Sequence, residues 1–301
     1  MIQFQNLEFA TKKELFKFLA DNKDKLIAQK KAEFKKKDMP FIVSPTVVYD
    51  KKQIARKAAG EPIDPSTLNS LKVVCIINTT NFLDSHMDLH LPGLWNKSLN
   101  DNKMIMHLQE HEMDFDKIIA DGEQLNAYAR RFKWSELGYD FNGETEALVF
   151  ESEILKSRNP FMLTQYANKW VKNHSVGMYY VKMDMAINDE DMPNYYEAWQ
   201  KYYPQIVNPE MADERGYFWY VLEAKCIEGS AVPIGSNSAT PTLEPKALSE
   251  CPECGAKFDY LLISEAGMGY VNCPSCGKSV TQKNSSHKGI DYKYLIDNLK
   301  K

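Results

Sequence analysis

The chain has 301 residues, 44% of them apolar and 26% charged, with a formal net charge of −4. That is ordinary globular usage with enough apolar side chains for a buried core, so wholesale disorder, collagen-like repeats and a disulfide-dense miniprotein are excluded. No apolar run approaches the roughly 18–20 residues of a membrane helix, and Met1-Ile-Gln-Phe-Gln-Asn6 lacks the charged and apolar regions of a signal peptide. The expectation is a soluble protein that stays in the compartment where it is made, with no membrane partner.

The charge is unevenly spread. Residues 1–72 hold 15 Lys/Arg against 9 Asp/Glu, whereas the remainder hold 22 against 32. A basic head on an acidic body fits either an arm that meets an acidic partner or a solvated helix face.

In chain order, Thr11-Lys-Lys-Glu14 is a capping box. Behind it Leu15, Phe18, Leu19 and Leu26 recur at roughly helical spacing, predicting one amphipathic helix over residues 11–37. Pro45, Pro62 and Pro65 punctuate a connecting region, which closes a basic N-terminal region at about residues 1–70. Leu71-Lys-Val-Val-Cys-Ile-Ile-Asn78 then opens a strand-rich domain, expected over 71–245. Strand-like runs follow at Asn102–His107, Gln124–Phe132, Ala147–Leu155 and His174–Ala186. Asn159-Pro160 predicts a helix start, a second helix is expected over about 190–203, and a long strand over 216–228. Residues 229–250, rich in Gly, Ser, Pro and Thr, have the composition of a linker. The predicted class is therefore α+β, a mostly antiparallel β domain with a few helices, flanked by a helical head and a small cysteine module.

That module is expected over 246–285, with a C-terminal tail at 286–301 in which Tyr292–Lys301 forms a short helix. Cys251-Pro-Glu-Cys254 and Cys273-Pro-Ser-Cys276 form two Cys-x2-Cys turns separated by 18 residues, the spacing of a four-thiolate zinc ribbon. Each turn supplies two sulfurs to a tetrahedron, and Gly255 and Gly277 let backbone amides approach the thiolates. Four protein ligands leave no open position, so the expected Zn2+ is structural. Whether the ribbon meets protein or nucleic acid stays open. Cys75 and Cys226 stand alone in apolar segments and read as core residues.

Two catalytic readings compete for the histidines. His107-Leu-Gln-Glu-His111 satisfies the short H-x-x-E-H pattern of inverted zincins, a chemistry that needs both imidazoles on one helix face. The approach Lys103-Met-Ile-Met106 is more strand-like than helical. Alternatively, His174-Ser175-Val176-Gly177 places a serine in a strand-like run with a glycine leaving room beside it. A serine becomes nucleophilic when a base takes its proton and a third group orients that base. His111 is a candidate base. For the third group, Phe218, Tyr220, Leu222, Ala224 and Cys226 alternate as an apolar row that Glu228 closes. A carboxylate on a buried face must be paired, which favours Glu228 over Glu223 beside Lys225.

Four stretches together resemble the capsid-maturation (prohead) serine proteases of tailed phages, a family related in fold to herpesvirus assemblin. They are Asp84-Ser-His-Met-Asp88-Leu-His-Leu-Pro92-Gly93 through Leu99; His111 followed by Ile118-Ile-Ala-Asp-Gly122; His174-Ser-Val-Gly-Met178; and Cys226-Ile-Glu228-Gly-Ser230-Ala-Val232 running on to Gly235-Ser-Asn237 and Thr240-Pro241. A helix-sized insert between the nucleophile strand and Glu228 departs from the family pattern. The resemblance implies Ser175 as nucleophile, His111 as general base and acid, and Glu228 as orienting acid. It further implies a small distorted β-barrel wrapped by helices, homodimers, and cleavage of capsid and scaffolding proteins and of the protease itself inside the procapsid, in the host bacterial cytoplasm. The basic head would then recruit the protease to acidic scaffold. The alternative is a non-catalytic assembly or DNA-associated protein of the same fold, binding through its ribbon. His174, one residue from the nucleophile, points to the opposite strand face and should pack or touch substrate instead of serving as base.

Overall fold

A computed structural model describes residues 2–33, 65–101, 104–243, 249–250, 253–255, 257–258, 270–273 and 275–281. The chain divides into two compact units, Met1–Glu244 and Pro245–Lys301. The end of the predicted head helix (34–37), most of the connecting region, Cys251 and the tail at 286–301 lie outside the described residues.

In the first unit β1 (Ile2–Phe4) and β2 (Leu7–Phe9) form a small hairpin, followed by α1 (Lys12–Asp21) and α2 (Lys23–Ala32). The strands that build the domain are β3 (Ser70–Thr79), β4 (Asp88–His90), β5 (Met106–Gln109), β6 (Ile118–Asp121), β7 (Leu125–Lys133), β8 (Glu144–Leu155), β9 (Asn173–Ile187), β10 (Tyr217–Val232) and β11 (Thr242–Leu243). Short helices lie at Asn96–Asp101, Pro160–Ala167, Pro193–Tyr202 and Glu210–Arg215. The helix at 160–167 starts as its sequence predicts, with Pro160 in its first turn and the Asn159 side chain accepting from the Met162 N–H at 2.9 Å.

The general α+β class holds. Two sheets carry the unit: an antiparallel sheet in the order β11-β3-β8-β7, and a mixed five-stranded sheet built on β10. Along one side β10 pairs antiparallel with β9. Along the other it pairs parallel with β4 near its start and with β5 near its end. Neither sheet closes into a barrel. Instead the two pack face to face, with Cys75, Ile77, Leu148 and Phe150 from one meeting Val176, Met178, Ala224 and Cys226 from the other. A second cluster around Trp134, Phe82 and Val149 covers the outer face of the four-stranded sheet.

The head departs from the single predicted helix. The side chain of Asn22 and its backbone N–H both bond the Phe18 carbonyl, and Asn22 is the non-helical cap that ends α1 and precedes α2. The capping box is also shifted by one residue. Thr11 Oγ1 accepts from the Glu14 N–H at 3.2 Å, while Glu14 reaches back to the N–H of Ala10 at 2.9 Å.

Nor are residues 2–33 a free arm. Leu15, Phe16, Leu19 and Leu26 are buried in the main core, and Phe16 rests on Gly216, where a Cβ would come within 2.7 Å of its ring. Gly216 also has φ +76°, so that site excludes side chains twice over. The lysines of the head pair with acids of the body: Lys13 with Asp191 at 2.9 Å, Lys23 with Asp184 at 3.0 Å, and Lys30 with Asp88. Among the described residues, these three lysines of the head are thus paired within the fold. The exposed pairs contribute little.

The Lys30 pair is different, because Asp88 is fully buried and also accepts from the Tyr180 hydroxyl at 2.8 Å. Lys30→Ala would leave that carboxylate in the interior without its cation. It is expected to cost about 3 kcal/mol, read as a lower urea midpoint at unchanged slope. The double variant Lys30→Met/Asp88→Asn should recover most of the loss.

The segment after β10 does not behave as a linker. Asn237 accepts from the N–H of Ala239 and donates to the Thr79 carbonyl. Thr240 Oγ1 takes the His174 N–H at 3.1 Å and donates to the His174 carbonyl at 2.7 Å. Polar side chains here complete backbone groups that the sheets leave open. Among the described residues, no helix is long and apolar enough to cross a membrane.

Candidate functional site

Strand β10 carries Glu228 to His111 and pairs with the strand that bears Ser175, by a route that alternation alone does not predict. Its pairing with β9 slips three times, and the last slip lies between Cys226 and Glu228. Cys226 stands opposite Met178 and Glu228 opposite Gly177, so Ile227 is the extra residue of a bulge. Residues on consecutive β9 positions face opposite ways; hence Cys226 faces the core and Glu228 the other side. The apolar row drawn from Phe218 to Cys226 therefore does not continue to Glu228. Leu222, within that row, is 44% exposed.

Beyond the bulge the faces are consistent. Gly229 lies over Phe150 and Ile77 in the core, where an added Cβ would clash at 2.6–2.7 Å. Glu228 and Ser230, two residues apart, share the opposite face. Ser175 on β9 stands directly across from Ser230, and Gly177 across from Glu228. Directly opposed residues bring their Cβ atoms within about 5 Å, so Ser175, Ser230 and Glu228 form one patch. Gly177 contributes no side chain, which leaves room over the carboxylate.

His111 reaches this patch from the other flank of β10. After β5, the Glu110 N–H still bonds the Ala231 carbonyl at 2.9 Å, and the chain then turns through two left-handed residues, Glu110 (φ 53°) and His111 (φ 62°). Non-glycine residues hold this conformation at a cost of about 1 kcal/mol or more each, and such strain gathers at functional sites. The turn brings His111 Nδ1 to 2.6 Å from Glu228 Oε1. Glu228 is fully buried and His111 nearly so. Glu228 Oε2 accepts from the Ser230 hydroxyl at 2.6 Å, and Ser230 Oγ accepts from the His111 N–H at 3.1 Å. With a carboxylate on Nδ1, that nitrogen carries the proton and Nε2 is the basic one.

Glu223, the other candidate acid, lies elsewhere on β10 and pairs with Lys182 at 3.1 Å and Lys97 at 3.5 Å. Its carboxyl is held below the usual range by the Lys182 hydrogen bond. A cleft of about 320 Å³ opens beside Gln109, Lys117, Arg158 and Phe161; none of Ser175, His111 and Glu228 lines it. Phe115, 92% exposed, and Met113 and Phe161, about half exposed, stand near it in the chain.

The H-x-x-E-H reading fails on geometry. His107 lies on β5, not on a helix, and it stands beside Gly229, on the core side of the sheet. It belongs to a buried cluster with His174, Tyr166, Cys75 and Ser152. Tyr166 Oη lies 3.1 Å from His107 Nε2, 3.0 Å from His174 Nε2 and 3.7 Å from Cys75 Sγ. His174 Nδ1 faces the Thr240 carbonyl at 3.0 Å and so carries a proton; its Nε2 then accepts from Tyr166. The tyrosine oxygen accepts in turn from His107 Nε2–H and the Cys75 thiol, and His107 Nδ1 accepts from Ser152 at 2.8 Å. Every group is satisfied with both imidazoles neutral. Although the Cys75, His107 and His174 donor atoms lie within 4.8 Å of one another, the tyrosine hydroxyl already bridges all three.

Burial pushes His107 well below its usual range and His174 down to about 4. Unfolded histidine titrates near pH 6.5. Between those values the unfolded chain binds more protons, so this stabilisation is complete above pH 6.5 and is lost as pH falls toward 4. From pH 7 to 5 the His174 contribution should fall by about 2 kcal/mol. Urea midpoints at the two values check it, and His174→Gln should flatten the dependence.

In the second unit, β12 (Ser249–Glu250) pairs with β13 (Lys257–Phe258), and β14 (Tyr270–Asn272) with β15 (Ser279–Thr281). A left-handed glycine follows Cys254 and another follows Cys276, Gly255 at φ 69° and Gly277 at φ 71°. The donor sulfurs of Cys254, Cys273 and Cys276 lie within 4.8 Å of one another, with Cys254 and Cys273 at 3.7 Å. A tetrahedron of thiolates about 2.3 Å from an ion has edges of about 3.8 Å, so the sulfurs fit a bound metal. Burial pushes the Cys273 thiol up, but the amides of Cys276 and Ser275 and the neighbouring thiols more than offset it, bringing it down to about 7. Comparison with protein-family models, curated proteins and solved structures finds no match for the chain.

Proposed function

We propose that this protein is a serine endopeptidase of the capsid-maturation type, with Ser175 as nucleophile, His111 as general base and acid, and Glu228 as the group that orients the imidazole. The observation that carries the reading is the 2.6 Å contact between His111 Nδ1 and buried Glu228, on the sheet face that also bears Ser175. Ser175 Oγ would attack the carbonyl carbon of the scissile peptide as its proton passes to His111 Nε2. The imidazolium then protonates the leaving amine, and water hydrolyses the acyl-enzyme by the same proton route in reverse. Glu228 fixes the tautomer and balances the charge that forms on the ring.

Substrates, from the resemblance, are capsid and scaffolding proteins within the procapsid, and the protease itself. Zinc is assigned to the thiolate cluster, with Cys251 as fourth ligand. The test is co-expression with the neighbouring capsid and scaffolding proteins. Shortened capsid protein should appear with the unaltered chain and be missing with Ser175→Ala; its persistence would end the serine reading.

A further inference from the structure

The strained turn at Glu110-His111 needs something to hold it, and the carboxylate that faces His111 needs its second oxygen occupied. One side chain meets both needs. Ser230 Oγ is fully buried, donates to Glu228 Oε2 at 2.6 Å and accepts from the backbone N–H of His111 at 3.1 Å. Glu228 Oε1 takes the proton of His111 Nδ1 at 2.6 Å. The hydrogen bonds thus close a ring: His111 N–H to Ser230, Ser230 O–H to Glu228, and His111 Nδ1–H to the other oxygen of Glu228.

Resting on the serine-endopeptidase reading, we infer that Ser230 is a positioning residue, the clamp that sets both the base and the acid which orients it. Its hydroxyl can rotate its single proton toward the carboxylate because the amide supplies the other contact. Alanine could serve neither partner. Threonine keeps the hydroxyl and, being β-branched, suits a strand. The hydroxyl also draws negative charge from Glu228, so its loss makes the carboxylate a stronger partner for an imidazolium, and the pH dependence of the rate should move with it.

A fluorophosphonate serves as probe because it needs no identified substrate. Ser175 Oγ displaces fluoride at phosphorus, and its proton passes to His111. The second-order labelling rate is measured against pH for the full-length protein, Ser230→Ala and Ser230→Thr, with thermal unfolding as a check on folding. Ser230→Ala should label about tenfold more slowly, the equivalent of one lost hydrogen bond, with its acid limb at higher pH. Ser230→Thr should restore most of the rate and the position of the limb.

An unshifted limb in folded Ser230→Ala, whether the rate is unchanged or slowed, would overturn the assignment. Failure of the unaltered protein to label at Ser175 would instead count against the serine reading itself. Amide hydrogen exchange then decides the clamp alone: the His111 N–H should exchange faster in Ser230→Ala and near the original rate in Ser230→Thr. Equal protection in all three would refute it.

Discussion

Ser175→Ala is expected to lower peptide cleavage by about 10⁴-fold or more, leaving the folded protein intact. Ser175 is half-buried on β9, and replacing its hydroxyl by hydrogen removes no core contact. His111→Ala should have a similar effect, and the double variant should be no worse than either single one, because in the proposed mechanism the two act as a unit in one proton transfer. Glu228→Gln is the more informative change. The amide keeps the shape but cannot balance an imidazolium, and its NH2 group sets itself against Nδ1–H or Ser230 O–H. A loss of about 10³–10⁴-fold in rate, with little change in apparent substrate affinity, is the expected result. The check is quantitative densitometry of processed capsid protein over time. Full activity in Glu228→Gln would move the orienting role elsewhere. His107→Ala supplies the contrast: that ring lies behind the sheet, so its loss should lower the unfolding midpoint and leave the shape of the pH–rate profile unchanged.

Legibility differed sharply between the parts of this site. The helix at Asn159-Pro160 and strands β3, β7, β8, β9 and β10 announce themselves, because their signals are local: a cap, a proline, a run of β-branched and aromatic residues. Glu228 was singled out as a paired acid through an alternation that the bulge at Ile227 breaks. Whether a slip falls before or after Glu228 depends on its pairing with Gly177, which no single strand encodes. The parallel pairing of β10 with β4 and β5 is likewise non-local, hence the expectation of a mostly antiparallel domain.

Composition misled at 229–243. Asn237 and Thr240 look like linker residues, yet they satisfy buried backbone groups of β3 and β9. The same applies to the head, where lysines that suggested a free basic arm are set against Asp184 and Asp88. Removing residues 1–37 would uncover the core around Leu15 and Leu19, so it tests folding before it tests recruitment. The left-handed turn at Glu110-His111 had no sequence signal, since neither residue is glycine or asparagine. Ser230 did have one. Its spacing of two from Glu228 places both on one strand face, beyond any bulge, and that relation alone could have drawn attention to it.

Loss of the proposed metal from Pro245–Lys301 is the other large expected effect. A segment of this size closes too small a core to fold unaided, and in zinc-finger peptides metal binding contributes about 10–16 kcal/mol. Cys254→Ser replaces a thiolate by a hydroxyl that stays protonated at neutral pH and coordinates zinc weakly. The expected result is one zinc ion per chain in the unaltered protein and none in Cys254→Ser or Cys273→Ser, measured by elemental analysis after gel filtration. Limited proteolysis should then cut the C-terminal segment rapidly while residues 1–244, which have their own core, persist. Cobalt offers a second reading, because four thiolates in a tetrahedron give a strongly coloured complex and three thiolates with water a weaker one. Cys251→Ser should therefore weaken the colour of the cobalt form if Cys251 is the fourth ligand. The thiol of Cys273, already drawn down to about 7 by its neighbours, reduces the proton release that binding demands at neutral pH. Since the sulfurs at 3.7 Å already stand at the edge length of the tetrahedron, metal uptake by the reduced chain should need little rearrangement at that edge. Zinc that survives both serine variants would place the ion elsewhere, and the buried cluster of Cys75, His107 and His174 would be the first alternative to test.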